Sequence, residues 1–485
     1  MGARFNLRNQ NMLLSQFTNT KYDIEISGIT ADSREVKKGF LFASLNDDKF
    51  IADAIAKGAV AIMANNNSEI KTPDNIVVIR SDNPAKEFAL AAAKYFGAQP
   101  QNIAAITGTN GKTSIADFVR QILTMMNYKA ASNGTLGLIK GNNPPIPSPN
   151  TTPVCVTLQR ELKNLADDGF DWLTIEASSH GLAQYRLGGI KAKVAGFTNF
   201  TRDHLDYHKT MENYLQAKLI LFKEILQDGG SAVLNADIAE FAQIAKACEG
   251  KKVVSYGRNG NDIKLIKATP LTHGQKLDII YYGKPHSIEI PLAGEFQAMN
   301  VLCALGIAAE LTNKADEVIK FVDKIKGAKG RLELAGRTPD GAAIYIDYAH
   351  TPDALENVIK ALRPHTNGKL KVLFGCGGDR DAGKRPIMGK IANDLADEVY
   401  VTDDNPRTEA PDPIREQILA DCPKGKNIPD RSRAIETAIR ELSGGDVLIL
   451  AGKGHETGQY VMGKVLPFSD HEECQKALTK INQDN

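Results

Sequence analysis

The segment of this chain with the clearest chemical potential is the glycine-rich loop 108–114, which contains Lys112 and Thr113. It follows the apolar run 103–106 and precedes a stretch with helical spacing of apolar residues, so a strand, a bend and a helix are expected. In that arrangement, backbone N–H groups and the helix N-terminus bind phosphate, Lys112 adds charge and the Thr113 hydroxyl suits Mg²⁺. The usual motif has glycine where this chain has Ile106, and a loop without catalytic role is the alternative. The strand–loop–helix context favours phosphate binding.

A second group of residues could bind a metal ion. Residues 198–208 combine acids and histidines in one short run, and Glu176 ends another apolar strand candidate. Oxygen and imidazole ligands of this kind could gather around Mg²⁺ near the phosphates, although a solvated loop is the alternative. Lys218 lies inside an apolar helical pattern, where it either extends to solvent or is desolvated. A desolvated lysine has a lowered pKa and a neutral, reactive amine.

Further polar residues could bind an organic ligand that carries both a positive and a negative charge. Asn150, Ser178 and their neighbours could hold a polar ligand, or could simply cap helices and fill loops. Later in the chain, arginines lie near the segments 404–407 and 452–456. Arginine grips a carboxylate and an acid binds an ammonium, so a zwitterion fits this mixture, and surface ion pairing is the alternative.

These residues require a scaffold that brings strand ends together. Six apolar runs each end in polar residues with chemical potential; they are 172–175, 194–197, 343–346, 370–374, 399–401 and 447–450. Continuous apolar runs alternating with helices are typical of buried parallel strands, and ligands bind at the carboxyl ends of such strands. We therefore predict an α/β fold with a central P-loop ATPase-like parallel or mixed sheet, a C-terminal Rossmann-like sheet and a smaller N-terminal α/β domain. The predicted domains are 1–97, 98–328 and 329–485.

The net charge, the apolar runs and the cysteines of the chain indicate which partners and which location to expect. The chain has 485 residues and a net charge of +1, so its global charge indicates neither a nucleic-acid partner nor an anionic membrane. No apolar run reaches the roughly 20 residues that span a bilayer, and residues 1–17 lack a signal-peptide core. The six cysteines are dispersed without a C-x-x-C pair, which predicts reduced, buried thiols in a cytoplasmic protein.

Four motifs, in this order, resemble signatures of the Mur ligase family, ATP-dependent enzymes that form amide bonds in peptidoglycan precursor synthesis. They are Gly-Thr-Asn-Gly-Lys-Thr at 108–113, Glu-Ala-Ser-Ser-His-Gly-Leu at 176–182, Asn-x-x-x-Asp-His-Leu-Asp-x-His at 199–208 and Asp-Tyr-Ala-His-Thr-Pro-Asp at 347–353. The resemblance covers essentially the whole chain. It is strongest to members that extend UDP-N-acetylmuramoyl-L-alanyl-D-glutamate, and the family's P-loop is the shortened form seen here.

The resemblance implies roles for matching residues. It assigns ATP to Gly108, Thr109, Asn110, Gly111, Lys112, Thr113, Ser114, Asn300, Arg331 and Asp347. It assigns the UDP-muramoyl-dipeptide to Ser33, Asn150, Thr151, Thr152, Ser178, Gln184 and Arg186. It implies a catalytic group of Lys112, Glu176, His204 and Lys218, with two Mg²⁺ ions held by Thr113, Glu176, His204 and Lys218. Lys218 matches the lysine that the family carbamylates with CO₂, which gives an anionic oxygen ligand for the metal.

The segment Asp404-Asn405-Pro406-Arg407 resembles the family motif of enzymes that add meso-diaminopimelate rather than lysine. Diaminopimelate has a second amino-acid head, whose carboxylate needs a cation. The resemblance implies that this head is bound by Arg380, Asp404, Asn405, Pro406, Arg407, Gly452 and Glu456.

The chain departs from the family pattern in two places. The loop 46–51, expected near the uridine, is shortened, and Gln297 replaces the first asparagine of a signature near adenine that ends at Asn300.

The predicted reaction has three steps: ATP phosphorylates the D-glutamyl γ-carboxylate, the amine of diaminopimelate attacks the acyl phosphate, and phosphate leaves. Because the second and third blocks both supply residues, we expect the domains to close over ATP. Three alternatives remain: the same ligase using L-lysine, a folylpolyglutamate synthase-like ligase, and a P-loop switch ATPase. We expect a monomer with no nucleic-acid partner and no membrane insertion.

Overall fold

The computed structural model describes residues 11–45, 47–271 and 274–484. The chain divides into two compact units. One runs to Ser255 and takes in Gly306–Ala315, and the other comprises Tyr256–Leu305 and the chain from Asp316 onward. Three α/β sheets follow one another along the chain, as the predicted fold class requires. The bounds of the three predicted domains stay a prediction.

The N-terminal sheet has four parallel strands in the order β3-β4-β5-β6, preceded by the small antiparallel pair β1-β2. Helix α3 begins at Pro84 after an Asn83 cap and ends before Gly97, whose φ of +74° suits glycine. The elements are β1 (Met12–Leu13), α1 (Leu14–Phe17), β2 (Glu25–Ile26), β3 (Gly28–Thr30), β4 (Phe40–Ala43), α2 (Ile51–Ala56), β5 (Ala59–Asn65), β6 (Val77–Ser81) and α3 (Pro84–Phe96).

The central sheet in the first unit runs in the order β9-β8-β10-β7-β11-β12-β13. Its strands β8, β10, β7, β11 and β12 are parallel, so their carboxyl ends lie at one edge. The elements are β7 (Asn102–Thr107), α4 (Lys112–Met125), β8 (Ala130–Gly134), β9 (Gly137–Lys140), α5 (Cys155–Asp167), β10 (Trp172–Glu176), α6 (Ser179–Ala183), β11 (Ala192–Phe197), α7 (Leu205–His208), α8 (Met211–Ile220), β12 (Leu226–Asn235), α9 (Phe241–Ala247) and β13 (Lys252–Gly257). A π-helical turn, Leu221–Ile225, follows α8.

The second unit begins with an antiparallel meander of three strands, which the sequence pattern did not reveal. Its elements are β14 (Ile263–Leu271), β15 (Gly274–Tyr281) and β16 (Lys284–Ile290). The helices α10 (Glu295–Thr312) and α11 (Ala315–Val318) follow along the chain.

The C-terminal sheet of the second unit has the order β17-β18-β22-β19-β20-β21 and is parallel except at β17. Both faces are covered, since Val372 and Phe374 of β19 pack into one apolar core and Leu373 into another. The elements are β17 (Glu333–Arg337), β18 (Ala343–Asp347), α12 (Pro352–Leu362), β19 (Leu370–Phe374), α13 (Lys384–Leu395), β20 (Glu398–Val401), α14 (Pro411–Leu419), β21 (Gly425–Asn427), α15 (Arg431–Arg440), β22 (Val447–Ala451), β23 (Gly458–Val461), β24 (Lys464–Pro467) and α16 (Asp470–Asp484).

Two predictions from composition can be compared with the structure. All six cysteines are free and buried, as expected, and burial raises the pKa of their thiols, to about 12 at Cys248, Cys303, Cys376 and Cys474. Within the described ranges, none of the helices has both the length and the apolar character that crossing a bilayer requires.

Candidate active site

The P-loop has the predicted strand–loop–helix context. Strand β7 ends at Thr107, Gly108 and Gly111 have φ values of +140° and +87°, and α4 begins at Lys112. A β-carbon at Gly108 would lie 1.9 Å from the Thr198 hydroxyl oxygen, so only glycine fits there. The missing glycine at Ile106 is therefore not needed to form the bend, because Ile106 is a buried residue inside β7.

The end of strand β11 fixes the shape of this loop. The Thr198 hydroxyl donates to the Asn110 carbonyl at 2.5 Å, and the Asn110 N–H donates to the Asn199 side-chain oxygen at 2.8 Å. The Lys112 ammonium folds back over the loop and donates to the carbonyls of Gly108 (3.0 Å) and Thr109 (2.8 Å). Such a loop with its lysine is preorganised for an anion at the start of α4, where Thr113 and Ser114 follow.

A buried carboxylate lies beside the loop. Glu176 ends β10, and its side chain accepts hydrogen bonds from the Thr113 hydroxyl (3.0 Å) and from the Thr135 N–H (2.7 Å) and hydroxyl (3.2 Å). Gly134 allows this approach, because a β-carbon there would lie 2.0 Å from Glu176 Oε1. The structure thus brings together Thr113 and Glu176, two of the predicted metal ligands.

Lys218 is the most unusual titratable group of the first unit. Its side chain is buried, and its Nζ atom lies 2.8 Å from the Gly108 carbonyl and 4.2 Å from the centre of the Tyr214 ring. Burial, with a smaller contribution from the charge of Lys112, holds the pKa of Lys218 well below its ordinary value. The neutral amine expected from sequence therefore has a physical basis at the P-loop.

Tyr214 links this lysine to the loop, and sequence reasoning missed it. It precedes Lys218 by one helical turn, its hydroxyl donates to Thr109 Oγ1 at 3.3 Å, and burial raises its pKa to about 12. A tyrosine four residues before a buried lysine is a weak signal that could have suggested the contact.

The histidines of 198–208 form a cluster with His180. The rings of His180 and His204 have centres 4.8 Å apart, and those of His180 and His208 are 5.4 Å apart. Burial lowers the pKa of His208 to about 4, with further lowering from the neighbouring histidines. The side chain of His204 is 46% exposed and lies 3.4 Å from Asp203, so its ring is accessible for a ligand.

The donor set was compared with the requirements of Mg²⁺ and of a lysine carbamate. In the described part of the chain, no three His, Cys, Asp or Glu side chains gather as a ready metal site. Thr113 and Glu176 supply hard oxygen atoms, and Mg²⁺ is commonly held by one or two carboxylates together with substrate phosphates and water. Burial lowers the pKa of Lys218 and so favours its neutral amine, the form that reacts with CO₂. These residues fit both groups.

The residues predicted for the muramoyl-dipeptide are largely linked to one another. The Thr152 hydroxyl lies 2.9 Å from Ser178 Oγ and donates to the Glu176 carbonyl at 2.7 Å. Arg186 donates to the Thr152 carbonyl (2.8 Å) and to the Gln184 side chain (2.8 and 3.0 Å). These contacts place the group next to the carboxylate that faces the P-loop.

The remaining predicted residues of this substrate lie at the edges of that group or apart from it. The Thr151 hydroxyl lies 3.1 Å from the Thr135 hydroxyl, which in turn bonds to Glu176. The Asn150 carbonyl accepts a hydrogen bond from the Ser148 hydroxyl. Ser33 lies after β3 of the N-terminal sheet, where its carbonyl accepts from Lys57. In the shortened loop, Asn46 lies outside the described residues.

In the second unit, the residues predicted for ATP form one contact network. The Asn300 amide donates to Gln297 Oε1 at 2.9 Å, and the Gln297 amide donates to the Arg331 carbonyl at 3.3 Å. Gln297, noted as a departure from the family pattern, therefore connects two predicted ATP residues.

Arg331 lies over an aromatic ring at the end of strand β18. Its guanidinium is 4.7 Å from the centre of the Tyr348 ring, and its buried Nε has no hydrogen-bond partner among the described residues. Asp347 accepts from the N–H groups of Leu332 (2.6 Å) and Ala349 (2.7 Å), while burial raises its pKa. An arginine with an unused buried donor is suited to an anion.

A second network surrounds the Asp404–Arg407 segment. The Asn405 amide donates to Glu456 Oε2 at 2.9 Å, and the buried Lys453 ammonium donates to Asn405 Oδ1 (3.0 Å) and Glu456 Oε2 (3.2 Å). Lys453 also lies 3.6 Å from Asp404 Oδ1, and Asp404 is buried with a raised pKa because of desolvation. Sequence reasoning named the neighbours of Lys453 but missed Lys453 itself, although glycines flank it on both sides.

The two arginines predicted to bind a carboxylate differ in their surroundings. Arg407 has a φ of +52° and donates to the Gly378 carbonyl at 2.8 Å, whereas Arg380 is exposed and donates to the Asp379 carbonyl at 3.0 Å. The Pro406 carbonyl packs closely on Gly378, where an added β-carbon would lie 2.0 Å from its oxygen. Gly452, with a φ of +111°, follows β22 and donates to the Asp347 carbonyl at 3.1 Å.

The fold and these sites define a class: an α/β enzyme with a P-loop on one parallel sheet and a charged network of acids, lysine and arginine on a Rossmann-like sheet. Sequence comparison agrees with that class, since residues 106–308 match the Mur ligase middle domain and residues 330–454 match the Mur ligase glutamate ligase domain. The chain belongs to the Mur ligase family.

Relatives that align with this chain over nearly its full length share one enzyme name. The chain is 48% identical over 462 residues to the UDP-N-acetylmuramoyl-L-alanyl-D-glutamate–2,6-diaminopimelate ligase of Chelativorans sp. (strain BNC1), covering 93% of this chain and 95% of the relative. It is 47% identical over 473 residues to the enzyme of that name from Caulobacter vibrioides, covering 95% and 97% of the two chains.

Solved structures show the same fold. A structure of a UDP-N-acetylmuramoyl-L-alanyl-D-glutamate–2,6-diaminopimelate ligase superposes with a TM-score of 0.75 at 32% identity, over 98% of this chain and 100% of the other. MurF ligase from Thermotoga maritima, solved with ADP, gives 0.63 at 18% identity over 94% and 98%.

Proposed function

We propose that this chain catalyses ATP-dependent ligation of meso-diaminopimelate to UDP-N-acetylmuramoyl-L-alanyl-D-glutamate, a step of peptidoglycan precursor synthesis. The observation that carries the proposal is the match, over nearly the full length of both chains, to ligases of that name at up to 48% identity. The L-lysine alternative is disfavoured by the Asp404–Arg407 segment, and the folylpolyglutamate synthase-like alternative by the weaker likeness, 18% identity over 76% of this chain, to a synthase from Mycobacterium tuberculosis.

The first half-reaction is assigned to the first unit. The P-loop N–H groups and Lys112 would hold the ATP phosphates, since the loop is already shaped by Thr198 and Asn199. Thr113, Glu176, His204 and carbamylated Lys218 would hold two Mg²⁺ ions, which when bound neutralise charge on the phosphates and the carboxylate. The buried amine of Lys218 beside Gly108 supports carbamylation, and the bonded pair of Thr113 and Glu176 supports the metal assignment.

The substrate carboxylate would be oriented from the same edge of the sheet. Thr152 is hydrogen-bonded to Ser178 and donates to the Glu176 carbonyl, which supports the role of both residues beside the reacting carboxylate. Lys112 would stabilise the charge that develops as the γ-phosphoryl group moves to the D-glutamyl γ-carboxylate. Ser33 is proposed to contact the uridine.

The second half-reaction is assigned to the residues of the network around Asn405. Glu456 and the Gly452 backbone would bind the ammonium of the amino-acid head that does not react, and Arg407 with Arg380 would bind its carboxylate. Holding that head leaves the other amine of diaminopimelate to attack the acyl phosphate, after which phosphate leaves. Asn300, Arg331 and Asp347 are proposed to contact ATP, which the unused buried donor of Arg331 supports.

The proposed activity is tested by measuring phosphate release from ATP with the muramoyl-dipeptide and diaminopimelate, L-lysine or neither, and by identifying the product by its mass. We expect release that requires both substrates and a product one diaminopimelate residue heavier. Nucleotide hydrolysis without them would support a P-loop switch ATPase instead.

The acceptor assignment is tested by Arg407→Ala, which should raise the KM for diaminopimelate at least about ten-fold and leave the KM for ATP unchanged. Arg440→Ala is a matched control, because Arg440 is a partly exposed arginine of the same unit that pairs with Glu436 on α15. Equal changes in both constants would contradict the assignment.

Two further points belong to the proposal. A cytoplasmic location is supported by six free, buried cysteines. The monomeric state, the absence of a nucleic-acid partner and the domain bounds 1–97, 98–328 and 329–485 stay predictions.

A further inference from the structure

We infer that the hairpin β23–β24 is a specificity-determining element, because its first strand holds the Asp404–Arg407 segment in the conformation that receives the amino-acid substrate. The inference rests on the proposed function and concerns how the same pocket is built. The hairpin, Gly458–Pro467, forms a separate two-stranded antiparallel sheet and is not part of the six-stranded sheet. Isolated hairpins of this kind are marginally stable, so this one depends on what it packs against.

Four hydrogen bonds connect Gln459, Tyr460 and Met462 of the hairpin to the segment. The Gln459 side-chain amide donates to the Asp404 carbonyl at 2.7 Å, and the Tyr460 N–H donates to Asn405 Oδ1 at 3.0 Å. The Arg407 N–H donates to the Tyr460 carbonyl at 2.9 Å, and the Met462 N–H donates to the Arg407 carbonyl at 2.5 Å.

The geometry is that of a third strand. Arg407 forms a parallel bridge with Val461, and both backbone polar groups of Tyr460 bond to the segment, on the side away from its partner Val465. Strand β23 therefore pairs with β24 along one edge and with the Asp404–Arg407 segment along the other.

Arg407 needs such support because its φ of +52° lies in the left-handed region, which is unfavourable for a residue with a side chain. The bonds to Tyr460 and Met462 bracket that residue and hold it there. Without them, Arg407 would relax toward negative φ, and its guanidinium would leave the Gly378 carbonyl. Asn405 Oδ1 accepts hydrogen bonds from Lys453 and from the Tyr460 N–H, and it would lose the second of these. The side-chain amide of the same residue donates to Glu456.

The test compares two substitutions at one position. Tyr460→Pro removes the N–H that bonds to Asn405, whereas Tyr460→Ala keeps that N–H and removes only a side chain that is itself 48% exposed. Because the Tyr460 N–H faces the segment, proline costs the hairpin no bond to β24. We expect Tyr460→Pro to raise the KM for diaminopimelate about five- to ten-fold while the KM values for ATP and the muramoyl-dipeptide stay within about two-fold, and Tyr460→Ala to change none of them.

Gln459→Ala keeps the inference testable if Tyr460→Pro does not fold. It removes one side-chain bond to Asp404, and we expect about a three-fold rise in the KM for diaminopimelate alone. A purely structural role would instead lower the amount of active enzyme and leave all three KM values unchanged.

The outcomes separate the inference from the proposed function. If the wild-type protein releases no phosphate in response to diaminopimelate, the proposed function and this inference are both overturned. If the wild type is active, two results overturn the inference alone. One is that Tyr460→Pro and Gln459→Ala have the same KM for diaminopimelate as Tyr460→Ala, and the other is that all three KM values rise together in these variants.

Discussion

Replacing His455 with glutamine should make the second unit less sensitive to acid. His455 follows Lys453 in the chain by two residues, its ring centre is 5.4 Å from that of Tyr348, and its buried Nδ1 has no partner among the described residues. Burial, together with the charges of Arg331 and Lys329, lowers the pKa of His455 to about 4. The unfolded chain has an ordinary histidine pKa of about 6.5.

The magnitude follows from the difference between these values. Because the pKa of His455 is lower in the folded state, the unfolded chain binds the extra proton first as the pH falls below about 6.5, and stability is lost down to about pH 4. Each pH unit in that window is worth ~1.4 kcal/mol, so lowering the pH from 7.5 to 5.0 should cost about 2 kcal/mol through this residue.

The assay is amide hydrogen exchange of strand β22, whose buried amides report the opening free energy of this unit. Between pH 7.5 and 5.0, wild type should lose about 2 kcal/mol more opening free energy than His455→Gln, and all other titrating groups cancel in that comparison. An equal loss in both proteins would refute the reasoning, because it would mean that His455 is protonated as easily in the folded state as in the unfolded chain.

Three other predictions concern lysines and a buried ion pair. Lys218→Ala should abolish phosphate release and the carbamate signal in ¹³C NMR with labelled bicarbonate, whereas Lys223→Ala, an exposed lysine one turn later, should retain both. Lys453→Met should raise the KM for diaminopimelate about ten-fold with ATP unaffected, since it removes the donor shared by Asn405 and Glu456; an unchanged value would contradict the assigned contacts. Asp470→Asn should lower the free energy of unfolding in urea by about 3 kcal/mol, because the pair with Arg431 is fully buried, and a loss below about 1 kcal/mol would refute this.

Much of the scaffold could be predicted because its signals are local. The runs 172–175, 370–374 and 447–450 are apolar except at Thr174 and Lys371, and they correspond to β10, β19 and β22. A strand buried on both faces is predominantly apolar, so its sequence indicates both its extent and its end. The loop 108–114 was equally visible, since the bend requires glycine at positions 108 and 111.

The rest depended on contacts between distant segments. The burial of Lys453 and its bonds to Asn405 and Glu456 arise only when β20 and β22 lie in one sheet, and an isolated lysine between glycines shows none of this. The hairpin was missed because its turn, Met462-Gly463, lacks the usual Asn-Gly or Asp-Gly signal, although both residues have positive φ values of +46° and +75°.

The burial of every cysteine has a practical consequence for studying the hairpin. A thiol with a raised pKa and no access to solvent reacts slowly with maleimides and similar reagents, so the natural protein has a low background for labelling. Met462, at the hairpin turn, is 68% exposed, and a cysteine placed there would be the thiol that reacts. A fluorophore at that position would report whether the surroundings of the hairpin turn change when the amino-acid substrate is added, in the otherwise unaltered chain.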